Sequence, residues 1–345
     1  MDGTGSIEAA TDRFNTIQGA AGVSPIPLLT LGPSQSLRVG GGNVLQCNVP
    51  VQSEGSIIVD GNLTTSSTIE VTETGVLTGR GIIQVNGGAP IDVDGTVRPG
   101  SSPGTLTVSG GLELGSTAVL EIEIAEAAPG HFDRLTVTSG AIVNGTLKVR
   151  LIDGYVPPVD QSFTILTGNG VSGTFSSVEI DAAGSRRTFE VVYHPNSVVL
   201  TAKEKTYATY NEWAADQFTS LELADVLISG PNADPDGDGL SNFREYVHAL
   251  SPIVPGSEPF VLLQTGTEGD PLARYIDAQF PWADGMTDAD YLIERSIDLQ
   301  TWVPAVSPIQ EEDDLDGYRL LTVRTPFPSP IPEKGFIRLR VVSVP

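Results

Sequence analysis

The chain is poor in the residues that most often cross-link a fold or carry its chemistry. A single cysteine, Cys47, rules out an intramolecular disulfide, so no disulfide scaffold is present. Lysine and arginine number 19 against 43 acidic residues, a formal charge of −24. That balance repels phosphate backbones and anionic membranes and favours divalent cations, so nucleic acid is not an expected partner. No run approaches the roughly 18 apolar residues of a membrane helix, and no membrane span is expected. The opening MDGTGSIEAATDRFN has neither the basic segment nor the apolar stretch of an export signal, which is expected to lie outside this sequence. Aromatic residues make up only 6%.

What is abundant is glycine (38) and proline (25), over a length of 345 residues. Such a composition describes many short strands and turns, spread over two or three domains. A mainly β chain is expected.

Gly55, Gly75, Gly95 and Gly115 each open an apolar triplet and stand 20 residues apart. Two places after the first three lie Ile57, Leu77 and Val97, and one step back lies Leu37, so an apolar column crosses four successive repeats and ends at Thr117. Alternating pairs recur between the markers: Val49/Val51, Ile69/Val71, Ile91/Val93, Leu106/Val108 and Leu112/Leu114. This is the period of two that belongs to short strands burying one face. A repeat of about twenty residues that cannot bury its face alone, but can stack on its neighbours, predicts a parallel β-helix (β-solenoid) over residues 27–130. A β-sandwich would also give short alternating strands, but not an aligned column at every twentieth residue. Beyond Gly115 come longer β-rich runs up to about Lys203, expected as wide terminal coils or a cap over the solenoid end.

The stretch RPGSSPGTLTVSGGLELGSTAVLEIEI, with DRLTVTSGAIVNGTLKVRLIDGY and SFTILTGNGVSGTF after it, resembles the carboxyl-terminal part of the passenger β-helices of bacterial autotransporters, with their autotransporter-associated β-strand repeats. The likeness covers about residues 75–202. It implies an exported right-handed β-helix used at the cell surface, frequently for adhesion. No membrane β-barrel translocator follows here, so the resemblance is to the passenger alone.

A second pattern is DPDGDGLSNFRE. With Asp234 at position 1, Asp236 falls at 3, Asp238 at 5, Gly239 at 6, Leu240 at 7, Asn242 at 9 and Glu245 at 12. Every position fits an EF-hand-type calcium loop, in which three aspartates and the Leu240 carbonyl surround the ion, Asn242 acts through a water, Glu245 adds a bidentate carboxylate and Gly239 allows the turn. Helix capping would explain one aspartate, not the whole spacing. Ca2+ is the expected cofactor and Asp234, Asp236, Asp238, Leu240, Asn242 and Glu245 its expected ligands. Leu240, Phe243, Val247 and Leu250 continue at helical spacing. Upstream, YNEWAADQFTSLELADVL has good helix formers, with Trp213, Phe218, Leu221 and Val226 as its bulky apolar residues. The element is similar to the calcium-binding halves of dockerins and to thrombospondin type 3 repeats, which implies a structural clip rather than a sensor.

After a proline-rich linker, FVLLQT, ARYIDAQF, DYLIERS, YRLLTVRT and FIRLRVV predict a small antiparallel β-sandwich. The order of modules is similar to the tails of large exported bacterial surface proteins. The expected organisation is a leader over 1–26, a β-solenoid with its cap over 27–203, a helical calcium-loop connector over 204–255 and the sandwich over 256–345.

Parallel β-helices also carry polysaccharide-cleaving enzymes, which need clustered acids and a base. Residues 27–130 hold ten acidic residues and, as strong bases, only Arg38, Arg80 and Arg98. Asp92 and Asp94 alternate with Ile91 and Val93 and so face outward, with Arg98 as the one candidate base. His131, Asp133 and Ser139 crowd along one strand too closely to form a triad. His194 and His248 stand alone, and Trp213, Trp282 and Trp302 are expected in packing. The expectation is a non-enzymatic, extracellular or cell-surface protein of structural or adhesive role. Calcium is its expected partner, with self-association or surface polysaccharide beside it; a filament subunit and a polysaccharide-active enzyme are the alternatives.

Overall fold

A computed structural model describes residues 5–8, 14–17, 28–100, 102–182, 185–257, 259–268, 273–305, 309–315, 317–327 and 334–344. It is mainly β, with 50% of residues in strands and 8% in helices. The chain divides into two compact units, residues 1–182 with 187–203, and residues 183–186 with 204–345.

In the first unit the chain visits three parallel sheets in turn and then returns to the first. Leu29–Leu31, Gln35–Val39 and Val44–Cys47 belong to the third, first and second sheets; Val51–Ser53, Ser56–Val59 and Asn62–Thr65 repeat the order, as do Ile69–Val71, Val76–Gly79 and Ile82–Val85. Each strand pairs with the one a repeat away rather than with its sequence neighbour. In the first sheet Leu37, Ile57, Leu77 and Val97 lie in register, all fully buried. In the second, Leu45, Leu63, Ile83 and Val108 do the same. Strand burial alternates as the period of two requires, and each such aliphatic removed from water contributes roughly 1.5–3 kcal/mol. The three inward faces share one aliphatic cluster.

The column does not end at Thr117. It passes from Val97 to the buried Leu120 and Leu147 and reaches the exposed Val178 on the edge strand, because the repeat lengthens from 20 residues to 23 (97 to 120), 27 (120 to 147) and 31 (147 to 178). Extra residues sit between strands, as in the stretch 125–132, and leave the strand register intact.

The marker glycines have a steric cause. A Cβ on Gly55 would stand 2.2 Å from the Gln35 carbonyl oxygen and 2.4 Å from that of Gly32. On Gly95 it would stand 2.3 Å from the oxygens of both Gly75 and Thr72. Successive repeats touch backbone to backbone here, where the N–H groups of Val76 and Thr96 donate to Gly55 and Gly75 at 2.9 Å each. The twenty-residue beat is the repeat of that contact.

Of the expected leader, Gly5–Glu8 and Phe14–Ile17 are strands pairing in parallel with Gln35–Val39 and Val44–Cys47; the rest lies outside the described residues. The repeat that holds Leu37 therefore has paired strands before it in two of the sheets. At the other end Arg187–His194 and Ser197–Glu204 join the second sheet, and Ser197–Glu204 runs antiparallel to Ser162–Thr167. The aromatic rings of Phe132, Phe163 and Phe189 meet edge to face there, with Phe163 between the other two at 5.3 and 6.1 Å.

In the second unit four short helices, α1 (Tyr210–Gln217), α2 (Ser220–Leu223), α3 (Val226–Ser229) and α4 (Asn242–Val247), precede two antiparallel sheets. One contains Val261–Glu268, Ala273–Ala283, Tyr318–Phe327 and Ile309–Leu315; the other Val303–Pro304, Ala289–Ser296 and Phe336–Ser343. Their inward residues, among them Phe280, Ile293, Leu321 and Leu339, form a single cluster with Trp213 and Tyr246 of the helices. Residues 204–255 fall in the same compact unit as the two sheets, and Trp213 and Tyr246 belong to its core. The stretch from Tyr210 to Leu227 is not one helix: Thr219 caps α2 in a reciprocal pair with Glu222, and the Asp225 side chain caps α3. Trp213 and Phe218 are buried, whereas Leu221 and Val226 are 86% and 71% exposed.

Candidate metal centre

The aspartate loop lies between α3 and α4, and its ends are joined. The Asn242 N–H donates to Ala233 O at 2.8 Å and that of Phe243 to Pro231 O at 3.0 Å. The Asn242 side chain donates through Nδ2 to Ile228 O (2.7 Å) and Gly230 O (2.9 Å), fixing the start of α4 against the end of α3. Asn242 is fully buried and its Oδ1 has no donor.

Inside the loop the carboxylates hold the backbone. Asp234 accepts from Gly237 N at 2.8 Å and Gly239 N at 3.0 Å. Asp236 accepts from Asp238 N at 3.2 Å; Asp238 accepts from Leu240 N at 2.7 Å and, through its other oxygen, from Gly256 N at 2.7 Å. Gly239 has φ +92°, a conformation side chains rarely adopt, in line with the turn expected of position 6. The result is one cluster in which ligand oxygens of Asp234, Asp236 and Asp238 all lie within 4.8 Å of one another. Leu240 is 3% exposed.

Glu245 completes the electrostatic problem. It lies on α4 with no exposed surface, and neither of its oxygens has a hydrogen-bond donor; Asp236 Oδ2 is likewise buried without one. Burial first, and then the negative fields of Asp236, Asp238 and Asp234, push the Glu245 carboxyl up to about 8. The Asp236 carboxyl is raised as well, by desolvation and then by its acidic neighbours. Isolated buried carboxylates are costly, and a hard cation is the partner whose charge and appetite for oxygen suit this set. The clustered aspartate oxygens suit a hard cation such as calcium, and Glu245 is an unpaired carboxylate in their field. The structure brings the three aspartates together, and Glu245 senses all three while standing outside their cluster.

Several of the other candidate groups have contacts within the fold. Asp133 is 3% exposed and accepts from Gly104 N (2.7 Å) and Glu123 N (3.0 Å); burial is the main cause that raises its carboxyl to about 7. His131 faces Glu126 at 3.4 Å. Asp92 faces out of the third sheet in register with Glu70 and Glu113, and Arg98 pairs with Glu121 rather than with either aspartate. His248 is buried against Phe280 and Trp282, with Nδ1 2.7 Å from Pro281 O. Trp213 and Trp282 are core residues, and the Arg338 guanidinium stands over the Trp302 ring at 4.3 Å. The residues that sequence reasoning passed over are Glu121, Glu123, Lys148 and Arg150, whose outward alternation in VLEIEI and LKVRL was the available signal.

No helix among the described residues is long and apolar enough to cross a membrane. Compared with known proteins, the chain matches no family model and no curated sequence.

Proposed function

We propose that this chain is an exported bacterial surface protein of structural or adhesive role, in which the three parallel sheets wind as a β-solenoid stalk. In this reading one calcium ion organises the helices that pack on a terminal β-sandwich. The resemblance to autotransporter passengers supports export and surface display, and the register of the three sheets supports the winding. The role is non-catalytic: Asp133 holds two backbone N–H groups, His131 faces Glu126, Arg98 pairs with Glu121 and His248 packs in the core.

The observation that carries the calcium reading is Glu245, a fully buried carboxylate with both oxygens unpaired, facing the field of three aspartates. Asp234, Asp236, Asp238 and Glu245 hold the ion, with the Leu240 carbonyl and Asn242 assigned from their positions in the loop. Calcium supplies charge neutralisation and fixes the loop between α3 and α4. Extracellular modules of this kind bind at about 10⁻⁴ to 10⁻³ M, and a tenfold excess over Kd stabilises by about 1.4 kcal/mol.

The test is a change of sign. In chelator near pH 7, Glu245→Gln stabilises the second unit by about 1–3 kcal/mol, because folding no longer has to protonate a carboxyl raised from 4.5 to about 8. In millimolar calcium the same substitution destabilises it and weakens calcium binding. Thermal melts and calcium titrations of both proteins read this directly; a substitution that destabilises equally with and without calcium contradicts the site.

A further inference from the structure

The outer face of the first sheet carries a groove of about 860 Å³ where the windings lengthen, within the usual size of a ligand site. Its walls are charged in alternation. Strand register sets Glu121 beside Lys148, and Lys148 beside Glu179; one rung along, Glu123 stands beside Arg150, and Arg150 beside Asp181. Arg98 extends the first row, its Nε and NH2 both bonded to Glu121. Arg150 and the Ser102 hydroxyl both meet Glu123, and Lys148 lies 3.2 Å from Glu179. Asp133 lies in the lining, its oxygens held by two backbone N–H groups.

This lining selects against several ligand classes. Its three cations, Arg98, Lys148 and Arg150, are each paired with a carboxylate, and five acidic residues line the groove, so a phosphate or uronate meets a net negative wall. Among the described residues no aromatic side chain lines it, which disfavours a flat apolar ligand. A polyhydroxylated chain is the complementary case. Each hydroxyl both donates and accepts, and the rows offer fixed donors and acceptors in alternation. Neighbouring rungs are about 4.8 Å apart, close to the length of one sugar ring, so the three steps from Arg98 to Glu179 span about 14 Å.

We propose that this groove binds a neutral oligosaccharide, with about three sugar residues lying across the strands. The proposal supplies a ligand for the adhesive role above but does not depend on the calcium site, since every residue it uses lies in the first unit. The experiment is calorimetric titration of the whole chain with cellohexaose, maltohexaose, laminarihexaose, xylohexaose, mannohexaose and hexagalacturonate, each in calcium and in chelator. At least one neutral hexaose is expected to bind at a single site, equally in both buffers and at least tenfold more tightly than hexagalacturonate. The double variant Arg98→Ala/Glu121→Ala, which leaves no lone charge behind, weakens binding at least tenfold without moving the melt. Glu70→Gln, on the outer face of the third sheet, leaves it unchanged. Should the double variant fail to fold, amide chemical-shift changes in the unmodified protein decide the matter, and must centre on residues 98, 121 and 150. The proposal is overturned if no neutral hexaose binds, if hexagalacturonate binds more tightly than all of them, or if the groove variant binds as well as the unmodified chain. Calcium dependence of neutral binding would also count against it, whereas failure of the calcium site alone would leave it standing.

Discussion

The two units bury their interiors in different ways. The first is filled by aliphatic side chains of similar size, Leu37, Ile57, Leu77 and Val97, in register on neighbouring parallel strands. The second is filled by large rings in individual arrangements. Trp213 contacts Tyr210, Phe218 and Tyr246, and Phe280 contacts Phe260, Trp282 and Tyr291. Its pieces are tied by specific polar bonds: Asp288 accepts from Tyr210 N at 2.8 Å and from the Tyr246 hydroxyl at 2.9 Å, joining α1 and α4. Stability in the first unit is accordingly a sum of near-equivalent neighbour contacts, while in the second it rests on a few irreplaceable ones.

That difference can be broken by substitution. Leu77→Ala removes a fully buried side chain from the middle of a column and should cost about 2–5 kcal/mol. Hydrogen exchange is expected to show the loss across residues 36–99 and not in 204–345; a loss shared equally by both units would erase the distinction. Next comes the pH response of Asp133, raised from 3.8 to about 7 chiefly by burial. The folded state holds this proton more tightly than the unfolded chain, so stability contributed at low pH is lost as pH rises from about 4 to about 7 and is level above. The loss is on the order of 2–4 kcal/mol. Denaturant melts across that window check it, and Asp133→Asn should flatten the first unit's profile. Asp288→Ala leaves the buried Tyr246 hydroxyl without its acceptor and should cost the second unit about 1–3 kcal/mol, with the first unit's exchange unchanged.

The same contrast governs what the sequence made visible. The column from Leu37 to Val97 was legible because its spacing is the physical repeat, enforced by glycines at the backbone contact. It was lost at Thr117 because three residues were added in a turn, which shifts the numbering and not the stacking. The charged rows of the groove went unseen for that reason, since Arg98 and Glu121 are 23 residues apart, and Glu123 and Arg150 are 27. The aspartate cluster was legible because all its spacing is local. The burial of Glu245 was not, since it depends on how α4 packs. The break of the upstream helix turned on two caps, Thr219 and Asp225, within a run of good helix formers. The joining of residues 204–255 to the terminal sheets depends on contacts such as Tyr246 with Asp288, 42 residues away, which carry no periodicity.

The winding itself is tested most directly by deleting one whole repeat. Removing residues 56–75 takes one strand from each of the three sheets and sets Leu77 next to Leu37 in the first column, with Ile83 next to Leu45 in the second. The account predicts that this shortened chain keeps its strand signal in circular dichroism, unfolds cooperatively and protects the amides of 36–47 and 76–99 from exchange. Removal of only residues 56–65, which sets third-sheet strands against the first, should abolish all three. Equal collapse of both deletions, or equal tolerance of both, would contradict it.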